Sequence, residues 1–296
     1  MTENEFLLAD RIQKIKSTLQ FYGGENNFFI AFSGGKDSTV LSALVDIAIP
    51  DNNIPRVYAD TGIELDMIKK FVYDLSINDK RIIILKPETP IKEMLERDGY
   101  PFKSKGHSEL LERYKRSGKT LSVKQYLGER TDKEKWSSQK SCPMCLKYQF
   151  TEDFTLKVSD KCCERLKEEP VKKWRRENKR PFAMLGLMKE EGGRRTTAKC
   201  ISFKGKEMNF QPLVILSKKW EEWFINEYNI KICDIYNEPY NFTRTGCKGC
   251  PFNPTLQKEL DTMEKFFPSE RKQCEIIWKP VYDEYRRINY RLKGVE

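Results

Sequence analysis

The chain has 296 residues, 39% of them hydrophobic, 12% aromatic and 33% charged, with a formal net charge of +10. That is enough length and apolar content to bury a core in one large or two small domains, and too many aromatics for a disordered chain. No run approaches the roughly 18 apolar residues of a membrane span, and the opening MTENEFLLADRIQKIK lacks the basic-then-apolar order of a signal peptide, so a cytoplasmic protein without a membrane partner is expected.

In chain order, residues 4–20 place Phe6, Leu7, Ile12, Ile15 and Leu19 near a 3.6-residue period and predict a helix. FFIAFS (28–33) is a short apolar run that stops at a glycine turn, as a buried strand does, and a helical pattern resumes over 38–48. RVYAD (56–60) and RIIIL (81–85) predict two more strands, followed by helices over 64–75 and 90–98. This strand–helix alternation implies βαβ units around a parallel sheet. The polar stretch 101–141 predicts weak helices and loops without a core. Residues 161–178 predict a helix, AMLGL (183–187) a fourth strand, and 200–213 a hairpin turning at Lys204-Gly205. An amphipathic helix over 217–228 carries Trp220, Trp223 and Phe224. A cysteine-rich loop at 245–254 precedes helical stretches at 256–266 and 270–293.

Two residue counts narrow the chemistry. There is a single histidine, His107, and its KSKGHSE context predicts a solvated loop. Ser-His-Asp or Cys-His catalysis and any histidine metal site would therefore all depend on that one residue. Nine cysteines in a reducing compartment favour metal, cluster or thiol chemistry over a disulfide framework. The charge is also localised: residues 161–219 hold 17 Lys and Arg against 7 Asp and Glu, a surplus equal to that of the whole chain. Such a belt fits an anionic partner, a nucleotide or a nucleic-acid backbone. The doublets Lys172-Lys173, Arg175-Arg176 and Arg194-Arg195 suit phosphate contact, although a solvated helix face has the same composition.

The most informative local pattern is Ser33-Gly34-Gly35-Lys36-Asp37-Ser38-Thr39, between a strand and a helix. Paired glycines let the backbone turn and present N–H groups to anionic oxygens, and the helix N-terminus adds partial positive charge. Lys36 can neutralise a phosphate and Asp37 can hold Mg²⁺. The pattern fits neither a Walker A loop nor a GxGxxG turn.

SGGKDS resembles the PP-loop of the ATP pyrophosphatase superfamily, whose members cleave ATP between the α- and β-phosphates. Asp60-Thr61-Gly62 resembles the DTG element of the phosphoadenosine phosphosulfate (PAPS) reductase family. The strand 183–187 with Lys189, Arg194 and Arg195 resembles that family's strand and basic loop, and 209–220 its NPL…W stretch. The resemblance runs from about residue 25 to 255. It implies an α/β fold of the adenine nucleotide alpha hydrolase (HUP/PP-loop) class, with a parallel sheet flanked by helices, a Cys-rich iron–sulfur region and a helical C-terminal extension. The expected organisation is one domain over 1–255, with an insertion at about 101–141, and the extension over 256–296. It further implies that Ser33, Gly34, Gly35, Lys36, Ser38, Thr39, Asp60, Thr61 and Gly62 bind the nucleotide, that Lys36 and Asp37 act in catalysis, and that Lys189, Arg194 and Arg195 hold the substrate's anionic end.

Cys162-Cys163 and Cys247-x-x-Cys250, separated by 83 residues, supply the four thiolates a 4Fe–4S cluster needs. Adjacent cysteines are awkward as two ligands of one zinc ion, although zinc and unligated thiols stay open. The same spacing, and the flanking DKCCERLKEEP, resemble the iron–sulfur adenylyl-sulfate reductases. Cys142-Pro-Met-Cys145 is a second CxxC, readable as zinc ligands, a redox pair or a sulfur carrier. Cys200 and Cys233 lie in apolar stretches and are expected in the core. Cys274 sits in a predicted helix near Arg271 and Lys272, half in the core.

The resemblance breaks in two places. The C-terminal cysteine nucleophile of the sulfonucleotide reductases is absent from RRINYRLKGVE, and the phosphate loop is intact where theirs is degenerate. Both departures imply an ATP-using enzyme, with Mg²⁺ and a 4Fe–4S cluster, that adenylates an acceptor for sulfur transfer, as in nucleic-acid thiolation. A sulfonucleotide reductase served by a thioredoxin-like reductant is the alternative, and a non-catalytic nucleotide- or nucleic-acid-binding module the third. An adenine nucleotide, a nucleic acid and a sulfur donor are the partners implied.

Overall fold

A computed structural model of the protein describes residues 1–129, 141–192 and 195–294. The chain divides into two compact units. The first comprises Met1–Asp60, Glu64–Pro87 and Glu169–Thr245; the second comprises Thr61–Ile63, Glu88–Glu168 and Gly246–Glu296.

The first unit is built on a six-stranded sheet of β1 (Phe28–Phe32), β2 (Arg56–Ala59), β3 (Ile82–Leu85), β4 (Phe182–Leu185), β5 (Ile201–Lys204) and β6 (Glu207–Phe210). The order is β3-β2-β1-β4-β6-β5, parallel except for the β5–β6 hairpin at one edge. Central strands covered on both faces read as continuous apolar runs, which is why FFIAF shows no alternation. Its residues nonetheless divide by face. Phe28 and Ile30 pack with α1 (Glu3–Phe21), α2 (Lys36–Ala48) and α8 (Lys218–Glu227) through Ile15, Leu19, Leu41, Leu44, Trp220 and Phe224. Phe29 turns to the opposite face, with Val57, Ala183 and Trp174 of α7 (Glu169–Glu177). Burying each such aromatic side chain contributes roughly 2–3 kcal/mol.

β1 pairs with β2 on one side and β4 on the other, so the strand order reverses at β1. Open α/β sheets bind ligands at the carboxyl ends of the strands beside such a reversal, and Ser33-Gly34-Gly35 leaves the sheet there. α3 (Asp66–Asn78) follows β2.

The second unit is mainly helical. It contains α4 (Ile91–Asp98), α5 (Lys105–Ser117), α6 (Leu121–Leu127), a 3₁₀ helix at Met144–Phe150, a π-helical turn at Glu164–Glu168, α9 (Leu256–Phe266), α10 (Pro268–Ile277) and α11 (Lys279–Arg287). The described part of the stretch 101–141 does not match the expectation of a region without a core, because Phe102, Leu110, Leu111, Val123, Tyr126 and Leu127 are all buried. Their spacing is amphipathic, and Lys105, Lys115, Lys119 and Lys124 are exposed. His107 is likewise not a loop residue. It lies in the first turn of α5, capped by Ser104, and is 1% exposed. The helix expected over 270–293 breaks between α10 and α11, where Pro280 fits only a helix start. Among the described residues, no helix is long and apolar enough to cross a membrane.

Candidate functional site

The phosphate loop is held by its own hydroxyls. The Ser33 N–H donates to Ser38 Oγ (3.1 Å), the Gly35 N–H donates to Ser33 Oγ (3.2 Å), and Ser38 Oγ and Thr39 Oγ1 donate to the Gly35 carbonyl (2.9 and 3.0 Å). These bonds fix the turn that opens α2 and leave Lys36 and Asp37 in its first turn. Gly34 adopts φ +68°, and a Cβ there would meet Val72 Cγ2 at 2.5 Å, so no other residue fits. Gly186, just past β4, faces α2 so closely that a Cβ would lie 2.6 Å from the Asp37 carbonyl oxygen. The glycines thus serve both the turn and the seating of α2 on the sheet.

Both charged residues of the loop are engaged by one turn of α8. Lys218 Nζ lies 2.6 Å from Asp37 Oδ1 and 3.1 Å from Glu221 Oε2, and Lys36 Nζ lies 3.4 Å from the same Glu221 oxygen. Glu221 is 1% exposed, and burial, followed by the influence of Asp37, pushes its carboxyl up to about 7. The Tyr236 hydroxyl accepts from the Lys36 backbone N–H and lies 2.5 Å from Thr245 Oγ1; burial pushes it up to about 12. Arg195 is half-buried, and its guanidinium is lowered by burial and by Arg244, against the pull of Asp37. Lys189 is exposed at the start of a 3₁₀ turn. Arg194 lies outside the described residues.

Asp60 is buried at the end of β2, accepting from the Tyr73 hydroxyl (2.7 Å) and pairing with Lys69 (3.2 Å). Thr61 and Gly62 belong to the second unit. The first unit therefore brings Ser33–Thr39 and Arg195 together and adds Lys218, Glu221 and Tyr236, which the sequence reasoning missed. A signal for one of them existed: Glu221 falls on the Trp220–Phe224 stripe that α8 buries, where a carboxylate is out of place.

The belt is less uniform than its composition suggests. Arg175 is largely buried, lies 5.4 Å from the Phe29 ring, and donates to Glu207 (3.2 Å) and the Pro181 carbonyl. Arg180 donates to the carbonyls of Glu25 (3.0 Å) and Phe28 (2.7 Å). Both arginines tie the sheet to neighbouring chain, whereas Arg176 is exposed.

In the second unit, Cys162 and Cys163 open the helical turn that runs into Glu164–Glu168. The hydrogen bond from Cys162 brings the Cys163 thiol down to about 6, helped by Lys105 and Lys167, while Cys162 is pushed up by the same bond and by burial. Burial, then the charge of Cys247, pushes Cys250 up. Cys162 feels Cys163, Cys250 and Cys247, so the four thiols share one neighbourhood. Burial, with a smaller contribution from Cys145, pushes the Cys142 thiol up to about 11.

The Cys247–Cys250 loop is clamped by the C-terminal helices. The Gly249 N–H donates to Glu259 (2.9 Å), its carbonyl accepts from Tyr282, and the Lys248 carbonyl accepts from Trp278 (3.0 Å). Lys248 itself is buried on Glu270 (3.1 Å). Gly249 has φ +59°, and a Cβ there would meet Tyr282 and Cys274 Sγ (2.8 Å). Cys274 is fully buried, deeper than the half-buried position expected, and burial pushes it up to about 12. Cys233 is buried, and Cys200 is half-buried against the first unit's core.

Donor chemistry in this unit suits a thiolate ligand, because Lys105 and Lys167 help to lower the Cys163 thiol and Cys162 is influenced by Cys163, Cys250 and Cys247. Among the described residues, no three His, Cys, Asp or Glu side chains stand gathered in metal-holding positions.

A parallel sheet that reverses at β1, with a lysine–aspartate loop at that reversal, defines an open α/β protein of the phosphate-loop kind. Residues 27–140 and 130–253 match the phosphoadenosine phosphosulfate reductase domain family, and the chain belongs to it. No curated protein matches the sequence. Among solved structures, the chain is similar to a phosphoadenylyl-sulfate reductase from Candida auris, at 12% identity and TM-score 0.48, covering 80% of this chain and 87% of that one. It is also similar to an FMN adenylyltransferase from Candida glabrata in complex with FMN and the ATP analogue AMPCPP, at 13% identity and TM-score 0.48, covering 83% and 64%. A U34-tRNA thiolase from Methanococcus maripaludis, with its 4Fe–4S cluster, aligns at 15% identity and TM-score 0.37, covering 97% and 80%.

Proposed function

We propose that this member of the PAPS reductase family is an ATP-using enzyme that adenylates an acceptor and thereby prepares it for sulfur transfer. The observation that carries the proposal is the loop at the β1 reversal, where Lys36 and Asp37 stand side by side in the first turn of α2 with every neighbouring hydroxyl committed to holding the turn. A lysine and a carboxylate at a helix N-terminus suit a polyphosphate with its magnesium ion. Lys36 would neutralise phosphate oxygens, Asp37 would hold Mg²⁺, and Arg195, with Lys189 and Arg194, would serve the substrate's anionic end. An acceptor oxygen attacks the α-phosphorus, the bond to the β-phosphate oxygen breaks, and pyrophosphate leaves; sulfur from a donor then displaces AMP. Such chemistry works through positioning and charge stabilisation, without a histidine base.

Cys162, Cys163, Cys247 and Cys250 would hold a 4Fe–4S cluster, which supplies iron sites for sulfur or electron chemistry. Lys105 and Lys167 would offset the charge of those thiolates. The anionic partners are an adenine nucleotide and, through the exposed part of the belt, a nucleic acid; cytoplasmic residence would keep the thiols reduced.

The family match favours a second function, reduction of a sulfonucleotide with a thioredoxin-like partner. Calorimetry separates the two. Mg·ATP should bind the full chain, and Lys36→Ala should weaken it about 100-fold with little change in melting temperature. If ATP fails to bind while adenylyl sulfate binds and yields sulfite, the reductase function stands instead.

A further inference from the structure

α8 reaches the phosphate loop with two charged side chains one turn apart, and nothing in core packing requires either. Its other contacts are those of an ordinary core helix. Ser217 caps it by accepting from the Trp220 N–H (3.1 Å), Trp220 and Phe224 stack inside the core, and Trp220 Nε1 donates to the Asn4 carbonyl (3.1 Å). The Lys218 N–H is held by Glu190 (2.7 Å), which fixes the first turn. On this anchored frame Glu221 is 1% exposed, and its Oε1 is buried without a hydrogen-bond partner. A buried carboxylate is costly, and an apolar residue of similar size usually does as well or better for stability. What Glu221 does have is its other oxygen, placed between the Lys36 and Lys218 ammonium groups at 3.4 and 3.1 Å. Lys218 in turn sits 2.6 Å from Asp37.

We propose that Glu221 is a positioning residue that holds the Lys36 and Lys218 ammonium groups at the phosphate loop, and that Lys218 is a second phosphate-binding lysine, stored on Asp37 until a ligand arrives. This rests on an anionic ligand at the loop, as in the proposed function, and extends the site to α8. When a polyphosphate enters, Lys218 exchanges Asp37 for phosphate oxygens. Asp37 is thereby released for the accompanying cation, and Glu221 keeps both lysines from swinging out into solvent. Two lysines held by one buried carboxylate give the loop a fixed pair of charges where Lys36 alone is a flexible point charge.

The test measures binding of Mg·ATP, adenylyl sulfate, inorganic pyrophosphate and adenosine to the full chain and to Lys218→Ala, Lys218→Arg, Glu221→Gln and Glu221→Leu. Lys218→Ala should weaken the phosphate-bearing ligands about 10- to 100-fold and leave adenosine unchanged, and Lys218→Arg should restore most of the loss. Glu221→Gln and Glu221→Leu should lose about tenfold towards the same ligands while melting no lower than the parent chain, which a merely structural glutamate would not do. Parent-like affinity of Lys218→Ala and Glu221→Gln for every phosphate-bearing ligand overturns the proposal and leaves the ATP function intact. If the parent binds adenylyl sulfate but not Mg·ATP, the ATP function falls, and the same variants still decide the proposal on adenylyl sulfate. Failure of all three anions to bind the parent chain overturns both.

Discussion

The sheet unit and the helical unit differ in how far their candidate chemistry is spread along the chain. In the first, Ser33 to Thr39 form one continuous turn, and a single turn of α8 completes the charge pattern. In the second, the four thiols come from segments 83 residues apart, and one of those segments is gripped by α9, α10 and α11. A site built within one turn tolerates change elsewhere. A site assembled from distant segments depends on residues that never touch the ligand.

The largest expected effect follows from that dependence. Anaerobically purified protein should contain about four irons and four sulfides per chain. Cys162→Ser, Cys163→Ser, Cys247→Ser or Cys250→Ser should strip it, whereas Cys200→Ser and Cys233→Ser should not. Gly249→Val should also empty the site without altering a ligand, because its Cβ would press on Cys274 and Tyr282. Iron and sulfide analysis checks all of these. Colourless, zinc-loaded protein would sink the cluster, and a Gly249→Val variant with full iron would sink the contrast between the units.

The second effect concerns the polar interior of the helical unit. His107 Nε2 lies 2.7 Å from the Gln149 carbonyl oxygen, so that nitrogen carries the proton and Nδ1, 2.9 Å from the Tyr126 hydroxyl, accepts. Burial, outweighing the bond to Gln149, holds the imidazole down at about 4, against an ordinary 6.5. The unfolded chain therefore takes up a proton that the folded chain refuses. Stability is complete above pH 6.5 and is lost as the pH falls towards 4, by about 3 kcal/mol in all. Denaturant unfolding of the parent chain and of His107→Gln across this range measures it. The variant should show a correspondingly shallower fall, and parallel curves would mean that His107 is not the proton acceptor.

The units also differ in how legible they were. The parallel sheet followed from FFIAFS, RVYAD and RIIIL, because short apolar runs between helical patterns leave few other folds. The loop was legible because its glycines, lysine and aspartate are consecutive. Lys218 was not, and Glu221 left only the weak signal of a carboxylate on the Trp220–Phe224 stripe, whose meaning its burial in the fold reveals. His107 was misplaced because its polar neighbours say nothing of burial, whereas Tyr126 and Phe150, which with nearby Phe102 enclose the ring, are distant in sequence. The role of the C-terminal helices was hidden for the same reason, because Tyr282 and Glu259 meet Gly249 only in the fold.

The smallest effect separates two adjacent arginines that composition treats as equals. Arg175 is tied to Glu207, the Pro181 carbonyl and the Phe29 ring, while Arg176 is exposed on α7. Arg175→Glu would set a carboxylate against Glu207 and remove one of the two donors to the Pro181 carbonyl, leaving the Met208 N–H (3.3 Å). That should cost about 2 kcal/mol, read as a lower denaturation midpoint. Arg176→Glu should stay within about 0.5 kcal/mol of the parent chain. Nucleic-acid binding should reverse the order. If the belt meets a phosphate backbone, Arg176→Glu should flatten the dependence of log affinity on log salt by about one unit, and Arg175→Met should leave that slope alone, because a side chain already committed to the fold releases no counterion. Equal slopes for all three chains would remove nucleic acid from the list of partners and leave the belt to the nucleotide. A slope that falls with Arg175→Met but not with Arg176→Glu would mean that the Arg175 guanidinium leaves Glu207 for a phosphate, which its packing on Phe29 opposes.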